Sequence, residues 1–332
     1  MVTDKPLIAR ILKMRPLLPV VATTLLLGGC ATTARFEGGA AVYERYLAQA
    51  TQGLSPAAAR RVTQLCHGPD AGPSDDAEPS AAPDPQAARV APAQVFDNLF
   101  FLGDRRVSVW AITTPEGIIL IDAQRPENAE TVVTGLQSLG LDPATVRYVI
   151  VTHGHSDHYG GAKMLQDRYG ARVAMGAPDW PTVRSAERRA GAPRRDITLA
   201  AGSTITLGGQ TVRVFPTPGH TPGTVSLLFR VFDRGVPHNV ALWGGGFPYE
   251  SIPAMRSFAR SAERFSPIVR AAGADVTLSN HPANDESIPK LGALAKRGAA
   301  DAHPFVGAPS ETVRRVDMMA LCARAFVARK GG

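Results

Sequence analysis

The 332-residue sequence lacks several features that would each indicate a particular class of protein. It has no self-similar segment with a spacing of about 20–50 residues, so neither a solenoid nor a propeller is needed to describe it. The formal net charge of +7 falls to +4 without residues 1–29, which hold four basic residues and one acidic residue. A charge this small on a chain of this length does not favour nucleic acid as a partner.

The apolar run from Pro16 to Leu27 is too short for a comfortable membrane span. It follows a basic start and leads into Leu27-Gly28-Gly29-Cys30, which predicts a signal peptide over residues 1–29. A cysteine directly after such a segment resembles a bacterial lipobox. The resemblance implies lipid attachment to Cys30, export, and a protein held on the periplasmic side of a membrane, with the outer membrane expected. The alternative interpretation is a transmembrane anchor.

The sequence contains only three cysteines. With Cys30 assigned to lipid, Cys66 and Cys322 remain, and an exported chain meets oxidising conditions. One bridge between the N-terminal segment and the C-terminal helix is therefore plausible. Two free thiols stay open as the alternative, because the sequence does not place the two Cα atoms within reach of each other.

Composition divides the rest of the chain into three parts. Residues 30–66 are predicted to form an N-terminal helical segment, since Tyr43 to Cys66 carries helically spaced apolar residues. Residues 67–93 are rich in Pro, Ala and Asp without periodicity, and they are predicted to form a linker or a long surface loop. Residues 94–332 alternate short β-rich runs with helical segments and are predicted to form one large domain.

The β-rich runs of this domain fall into two blocks, each followed by helices. The first block includes Ile118 to Ile121 and Tyr148 to Val151, and the second extends from Ile197 to Trp243. Strands followed by helices, twice over, predict an α/β fold in which two sheets pack face to face with helices outside.

The stretch Thr152-His153-Gly154-His155-Ser156-Asp157-His158 follows an apolar strand. Three imidazoles and a carboxylate so close together are costly to bury unless something binds them, and a divalent metal is the usual partner. His153 and His155 are two residues apart, so at a strand exit both can point to the same side. Four donors in one short loop favour two metals that share the loop. The alternative is a polar loop that happens to be rich in histidine.

Each metal then needs one more ligand, and two other histidines have a similar setting. His220 lies in a Pro- and Gly-stiffened loop directly after the strand Val212 to Phe215, and His281 follows the strand Val276 to Leu278. The remaining histidines lack this setting and are interpreted as surface or linker residues: His67, His238 and His303.

The loop and the two later histidines resemble the metallo-β-lactamase superfamily, whose signature is a His-x-His-x-Asp-His loop followed by two strand-end histidines. The match extends from about Val95 to beyond His281. It implies an αββα sandwich of two mixed β-sheets, with helices outside and two zinc ions at one edge. The implied ligands of the first zinc are His153, His155 and His220, and those of the second are Asp157, His158 and His281.

The resemblance also assigns two further roles. Asp122, at the end of the strand Ile118 to Ile121, matches an aspartate that steadies the metal loop without binding metal; the alternative is a turn residue at a strand end. Two bridged zinc ions would lower the pKa of a shared water and supply hydroxide. Asp157 is the implied catalytic side chain, which takes or passes on a proton.

A carboxylate is missing where many hydrolases of the superfamily, including glyoxalase II and lactonases, place an aspartate that bridges the metals. The corresponding segment reads Trp243-Gly244-Gly245-Gly246-Phe247. This absence resembles subclass three of the class B metallo-β-lactamases and implies that the substrate is the lactam amide of a penicillin, cephalosporin or carbapenem. The segment also departs from that subclass, because glycines stand near the place of serines that hold the substrate carboxylate.

Three alternatives to a β-lactamase remain open at this point. The first is a zinc hydrolase of another ester, thioester or lactone, and the second is an iron-dependent sulfur dioxygenase. The third is a zinc-binding lipoprotein without catalysis. A nuclease is not expected for an exported chain of modest charge.

Overall fold

The computed structural model describes residues 38–69, 88–185 and 192–331. The predicted signal peptide, Cys30 and most of the predicted linker lie outside these residues. Within them, the strands form two sheets. The first sheet contains, in spatial order, β1 (Ala93–Phe96), β2 (Leu99–Phe101), β3 (Trp110–Thr114), β4 (Gly117–Ile121), β5 (Val146–Val151), β6 (Arg172–Gly176) and β7 (Ile197–Leu199). The second contains, in spatial order, β12 (Val276–Ser279), β11 (Val236–Trp243), β10 (Val225–Asp233), β9 (Gln210–Pro216) and β8 (Thr204–Leu207).

Both sheets are mixed. Strands β1 to β4 pair in antiparallel fashion, and β4 to β7 pair in parallel. In the second sheet only β11 and β12 are parallel. The assignment of Ile197 to Leu199 to the second block is wrong, because β7 pairs with β6, with Ala174 opposite Ile197. A three-residue edge strand carries no pattern that tells which sheet it joins.

The helices lie around the two sheets, and none in the described part of the chain is long and apolar enough to cross a membrane. They are α1 (Gly39–Thr51), α2 (Pro56–His67), α3 (Ala129–Ser138), α4 (Ser156–Tyr159), α5 (Ala162–Tyr169), α6 (Trp180–Ser185), α7 (Ile252–Ala271), α8 (Pro282–Asp285), α9 (Ser287–Leu294) and α10 (Pro309–Arg329). The predicted end at Gly170 is confirmed, since this residue caps α5 in the left-handed conformation with a φ of 69°.

The core of the sandwich has three layers, one between the sheets and one on the outer face of each sheet. Strand β4 contributes side chains to two of them. Its residues are almost all apolar, as expected for a strand buried on both faces. Ile119 and Ile121 point between the two sheets, whereas Ile118 and Leu120 point toward α3 and α5. On the outer face of the second sheet, Trp243 packs against Phe258 and other side chains of α7 and α10. This arrangement confirms the predicted αββα sandwich.

Helices α1 and α2 pack against the C-terminal helix α10. Ser55 caps α2, where its Oγ accepts a hydrogen bond from the Ala58 N–H at 3.3 Å. A disulfide joins Cys66 in α2 to Cys322 in α10. The Tyr249 hydroxyl donates to the Leu65 carbonyl at 2.8 Å. The N-terminal helices therefore contact the loop that follows β11.

The direction of the strands brings several loops to one edge of the sandwich. The parallel strands β4, β5 and β6 end at the same edge of the first sheet. The parallel strands β11 and β12 end together in the second sheet. The segments that follow these five strands contain nearly all of the polar residues described next.

Candidate metal centre

The structure brings together His153, His155 and His220, which we call the first metal position. The Nδ1 atom of His155 lies 3.2 Å from the Nε2 atom of His153 and 3.1 Å from the Nε2 atom of His220. His153 and His155 come from the loop after β5, and His220 comes from the loop between β9 and β10. Within this set, the possible ligand atoms all lie within 4.8 Å of one another.

The structure also brings together Asp157, His158 and His281, which we call the second metal position. The Nε2 atom of His158 lies 3.4 Å from the Asp157 Oδ2 atom and 3.2 Å from the Nε2 atom of His281. The short helix α4 starts directly after His155, so it turns Asp157 and His158 back toward the preceding histidines. His153 lies between the two positions, since it also falls within 4.8 Å of Asp157 and His158.

In His153 and His281, a hydrogen bond to one ring nitrogen determines that the other nitrogen is free to bind a metal. The Nδ1 atom of His153 lies 3.0 Å from the Gly244 carbonyl, and that of His281 lies 2.7 Å from the Arg106 carbonyl. Because a carbonyl only accepts, each Nδ1 carries a proton, and each Nε2 offers a lone pair toward the centre. This is the arrangement that metal-binding histidines adopt.

Asp122 supports both the metal loop and His158. Its carboxylate accepts hydrogen bonds from the Thr152 N–H at 2.7 Å and the Thr152 hydroxyl at 2.9 Å, and it lies 2.8 Å from the His158 Nδ1 atom. Asp122 is fully buried and has a φ of 62°, a left-handed conformation that aspartate adopts more readily than most residues. Its geometry is that of a residue that orients a ligand rather than that of a ligand.

The charges of the centre are unevenly distributed. Burial lowers the pKa of His153 well below its ordinary value, and burial with nearby histidines lowers the pKa of His220 to about 4. Burial would also lower the pKa of His158, but Asp122 and Asp157 outweigh it and raise this pKa to about 9. Burial alone would raise the pKa of Asp157; the hydrogen bond and charge of His158 lower it instead. At pH 7 His153 and His220 are thus neutral, whereas at the second position the carboxylate of Asp157 lies beside a protonated His158.

Sequence reasoning missed two buried side chains that hold the centre together. The Asn280 amide donates to the Gly244 carbonyl at 2.8 Å and to the Thr152 hydroxyl at 2.9 Å. Asp179, just after β6, accepts a hydrogen bond from the Gly154 N–H at 2.7 Å. Their signal in the sequence is weak: each polar residue follows a buried strand, at the edge where the histidine loop also begins.

Two of the three glycines after β11, Gly244 and Gly245, leave no room for a side chain. A Cβ atom at Gly244 would overlap the Val225 carbonyl oxygen, and one at Gly245 would lie 2.7 Å from the His220 Cβ atom. A Cβ atom at Gly246 would meet only His220 ring atoms, at an ordinary 3.8 Å. The loop therefore passes so close to His220 that a side chain at Gly244 or Gly245 would displace its neighbours.

The three remaining histidines lie outside this set. His67 contacts the Tyr43 hydroxyl at 3.0 Å, and His238 contacts Asp275 at 2.7 Å. The interpretation of His303 as a surface or linker residue is wrong, because only 5% of it is exposed and it stacks on Phe96. Its position after α9 gave no apolar pattern from which this burial could be inferred.

The donor set fits a divalent transition metal. Zinc takes imidazole nitrogen and carboxylate oxygen, and its sites pair such ligands with buried groups that orient them, as Asp122 orients His158. Iron also takes imidazole and carboxylate, so the donors alone do not choose between the two ions. The Nε2 atoms of His153 and His220 both face the His155 Nδ1 atom at 3.2 and 3.1 Å, an arrangement that a metal ion or a ring proton between the nitrogens would accommodate.

Comparison with known sequences gives one family. The model described as the metallo-beta-lactamase superfamily matches residues 102–231. A hydroxyacylglutathione hydrolase of Acidiphilium cryptum (strain JF-5) is 34% identical over 200 residues, which make up 59% of this chain and 76% of that protein. Another, from Anaeromyxobacter dehalogenans (strain 2CP-C), is 34% identical over 160 residues, or 46% of this chain and 55% of that protein.

The similar solved structures are titled metallo-beta-lactamases rather than hydroxyacylglutathione hydrolases. Rm3 metallo-beta-lactamase has a TM-score of 0.59 and 26% identity, with 68% of this chain and 91% of that chain covered. BJP-1, a subclass B3 metallo-beta-lactamase of Bradyrhizobium japonicum, has a TM-score of 0.59 and 23% identity, with coverage of 74% and 94%. At the 23% identity of BJP-1, the likeness concerns the fold alone.

Proposed function

The chain belongs to the metallo-β-lactamase superfamily, and we propose that it is a di-zinc hydrolase that opens the amide of a β-lactam. The main observation in favour of a hydrolase is that two sets of possible ligands share His153. One set adds His155 and His220, and the other adds Asp157 and His158. A protein that only buffers zinc needs one closed site. Here the exposed His155 leaves the edge of the sandwich open to a substrate.

The chain's own residues account for most of what hydrolysis needs. Zinc ions at the two positions would activate water as a nucleophile and polarise the substrate carbonyl. His153 is buried and neutral, and it lies between the two positions, where it belongs to both ligand sets. The hydrogen bond and charge of His158 lower the pKa of Asp157, so its carboxylate is ionised but a weak base. Its proposed role is to receive a proton from the attacking water and pass it at once to the leaving nitrogen. Asp122 keeps the His158 ring oriented with its Nε2 toward the centre.

Two observations support a β-lactam as the substrate. The segment Gly244-Gly245-Gly246 carries no bridging carboxylate, and packing against Val225 and His220 leaves no room for one at Gly244 or Gly245, as the resemblance to subclass three implies. The fold is also similar over most of the chain to enzymes titled metallo-beta-lactamase. Backbone N–H groups of the glycine loop then take the place of side chains that would hold the substrate carboxylate.

A second candidate is hydrolysis of a hydroxyacylglutathione thioester. The names of the curated relatives favour it, since two such hydrolases are each 34% identical to this chain over 200 and 160 residues. Both reactions are attacks of water on an acyl carbon, so the same two metal positions would serve either.

One substrate panel separates the two. The purified full-length chain, loaded with zinc, is assayed with a chromogenic cephalosporin, a carbapenem and S-lactoylglutathione. Turnover of the lactams at kcat/KM of about 10⁴ M⁻¹s⁻¹ or above, as for ordinary enzymes, supports the β-lactamase. Thioester turnover alone moves the proposal to the second candidate. Zinc binding without turnover of any of them would contradict both candidates. A purified chain that holds iron instead of zinc and turns over none of them would favour the dioxygenase.

We further propose that the chain is exported and held on the periplasmic side of the outer membrane by lipid on Cys30. The support is the sequence pattern of residues 1–30, which lie outside the described residues. Cys30→Ser should release the protein from the membrane fraction into the soluble periplasm. Unchanged association of this variant with the membrane would contradict the proposal.

A further inference from the structure

Asp179 lies at the end of a short 3₁₀ turn, Ala177–Asp179, that follows β6. Only 1% of the residue is exposed. Its Oδ2 atom accepts hydrogen bonds from the Gly154 N–H at 2.7 Å and the Thr221 hydroxyl at 2.6 Å. Its Oδ1 atom accepts one from the Gly223 N–H at 2.8 Å. A single buried carboxylate is therefore bonded to two different loops.

These two loops carry all three ligands of the first metal position. Gly154 lies between His153 and His155, and Thr221 directly follows His220. The hydrogen bonds of Asp179 thus set the distance between the His153–His155 pair and His220. Because zinc ligands must hold their positions within a few tenths of an ångström, a link of this kind determines how well the position is formed.

Two glycines, Gly154 and Gly223, make room for this carboxylate, and a third, Gly176, makes room for the backbone of Gly223. A Cβ atom at Gly154 would lie 3.0 Å from the Asp179 Cβ atom, and one at Gly223 would lie 2.5 Å from the Asp179 Cγ atom. A Cβ atom at Gly176 would overlap the Gly223 carbonyl oxygen. The backbone at Gly154 and Gly223 therefore lies against the Asp179 side chain, at distances where an added Cβ atom would be crowded at Gly154 and would overlap at Gly223. The packing marks a built site rather than a chance contact.

The carboxylate of Asp179 is bonded to N–H and hydroxyl groups rather than to a cationic side chain in the part of the chain that the structure describes. Within the described residues, no Lys, Arg or His forms an ion pair with this carboxylate, although three hydrogen bonds solvate it. A buried carboxylate without a countercharge is costly. A divalent cation held by the two loops to which Asp179 is bonded would supply that charge.

We propose that Asp179 is a positioning residue for the first metal position, which couples the two ligand loops and compensates the charge of the bound metal. It corresponds in role to Asp122 at the second position, with one difference. Asp122 acts on the ring of a ligand, His158, whereas Asp179 acts on the backbone beside the ligands. The inference rests on the proposed function only in that the chain binds zinc.

The test compares Asp179→Asn with Asp285→Asn in the full-length chain. Asp285 is a matched control, because it is also fully buried and also accepts two backbone N–H bonds, from Ser279 and Ser287, and one hydroxyl bond from Ser287. Zinc affinity is measured with zinc alone by competition with a chelator. The melting temperature is measured with and without zinc.

For Asp179→Asn we expect zinc affinity at one position to fall by about 10–100-fold, the range for residues that orient metal ligands. The zinc-free variant should melt somewhat below the wild type, because an amide nitrogen cannot accept the hydrogen bonds that a carboxylate oxygen accepts, and the loss of melting temperature should be larger with zinc bound. Asp285→Asn should lower both melting temperatures together and leave zinc affinity at the first position unchanged. Wild-type zinc affinity in Asp179→Asn, or equal losses of both its melting temperatures, would overturn the proposal.

Thr221→Val provides a second variant, because it keeps the shape and the charge and removes one hydrogen bond to Asp179. It should show a smaller loss of zinc affinity in the same direction, and unchanged affinity would contradict the proposal. The outcome is independent of the substrate. A wild-type chain that binds zinc and turns over none of the panel would sink the proposed reaction and leave this inference intact. A wild-type chain that binds no zinc would overturn both.

Discussion

The Nε2 atoms of His158 and His281 lie 3.2 Å apart, and the other nitrogen of each ring is already engaged. The His158 Nδ1 atom is 2.8 Å from an Asp122 oxygen, and the His281 Nδ1 atom is 2.7 Å from the Arg106 carbonyl. Two imidazole nitrogens that face each other at this distance require a positive charge between them, either a proton or a metal ion. The segments that follow one strand of each sheet thus place two nitrogen atoms where a cation can bind between them.

His281→Ala should remove the second metal and leave the first. The variant takes away one ligand of the second position and touches none of the three histidines of the first. We expect zinc content to fall from about two to about one per chain, because a transition metal with one ligand fewer binds far more weakly. Metal analysis after dialysis checks this. His238→Ala is the control, since His238 bonds to Asp275 instead, and it should keep wild-type content.

Gly245→Ala should impair the enzyme, whereas Gly246→Ala should be tolerated. The added methyl group at Gly245 would lie 2.7 Å from the His220 Cβ atom, but at Gly246 the nearest atoms are 3.8 Å away. A shift of His220 by about 1 Å should lower kcat/KM on the order of 100-fold. Steady-state kinetics of both variants checks this. Equal activities would mean that the loop does not press on His220 in solution.

The Cys66–Cys322 bridge should stabilise the whole chain. It joins residues separated by 256 positions in sequence, so it removes much conformational freedom from the unfolded chain. Replacing both cysteines by alanine should lower the free energy of unfolding by about 2–5 kcal/mol. Urea unfolding with and without reductant checks this, and the reductant should act on the wild type and not on the double variant. Two titratable thiols in the native wild type would show that the bridge is absent.

Much of the fold was predictable from the sequence because its signals are local. Period-two patterns and turn residues located most strands, and Gly170 ended its helix where predicted. The six proposed ligands could be found because each follows a strand, and strand ends gather at one edge. The dense spacing from His153 to His158 gave the strongest of these signals.

The rest depends on contacts that the sequence does not encode locally. The edge strand β7 joined the other sheet through its pairing with Met175 and its neighbours. Asp179 and Asn280 look like ordinary turn residues until the loops that they bind are placed beside them. His303 became buried because Phe96, far away in sequence, stacks on it. Each of these features is set by tertiary packing.

His303 should make the stability of the zinc-free protein sensitive to acid. Its Nε2 donates to the Val95 carbonyl and its Nδ1 accepts from the Phe305 N–H, so only the neutral ring fits. Burial lowers its pKa in the folded protein. The unfolded chain therefore binds a proton first, and stability should be lost as pH falls below about 6.5. Urea unfolding at several pH values should show a smaller pH dependence for His303→Gln. An identical dependence in both proteins would contradict this.

We propose that the histidine loop and the two later histidines hold the metals on which hydrolysis depends. The most direct test measures zinc per chain and substrate turnover for the wild type and for His155→Ala. His155 is exposed, and its Nδ1 atom lies within 3.2 Å of both other nitrogens of the first position, so the substitution should remove a ligand without opening the core. We predict about two zinc ions per wild-type chain, and for the variant a loss of zinc and of turnover. Full turnover by His155→Ala would contradict the account.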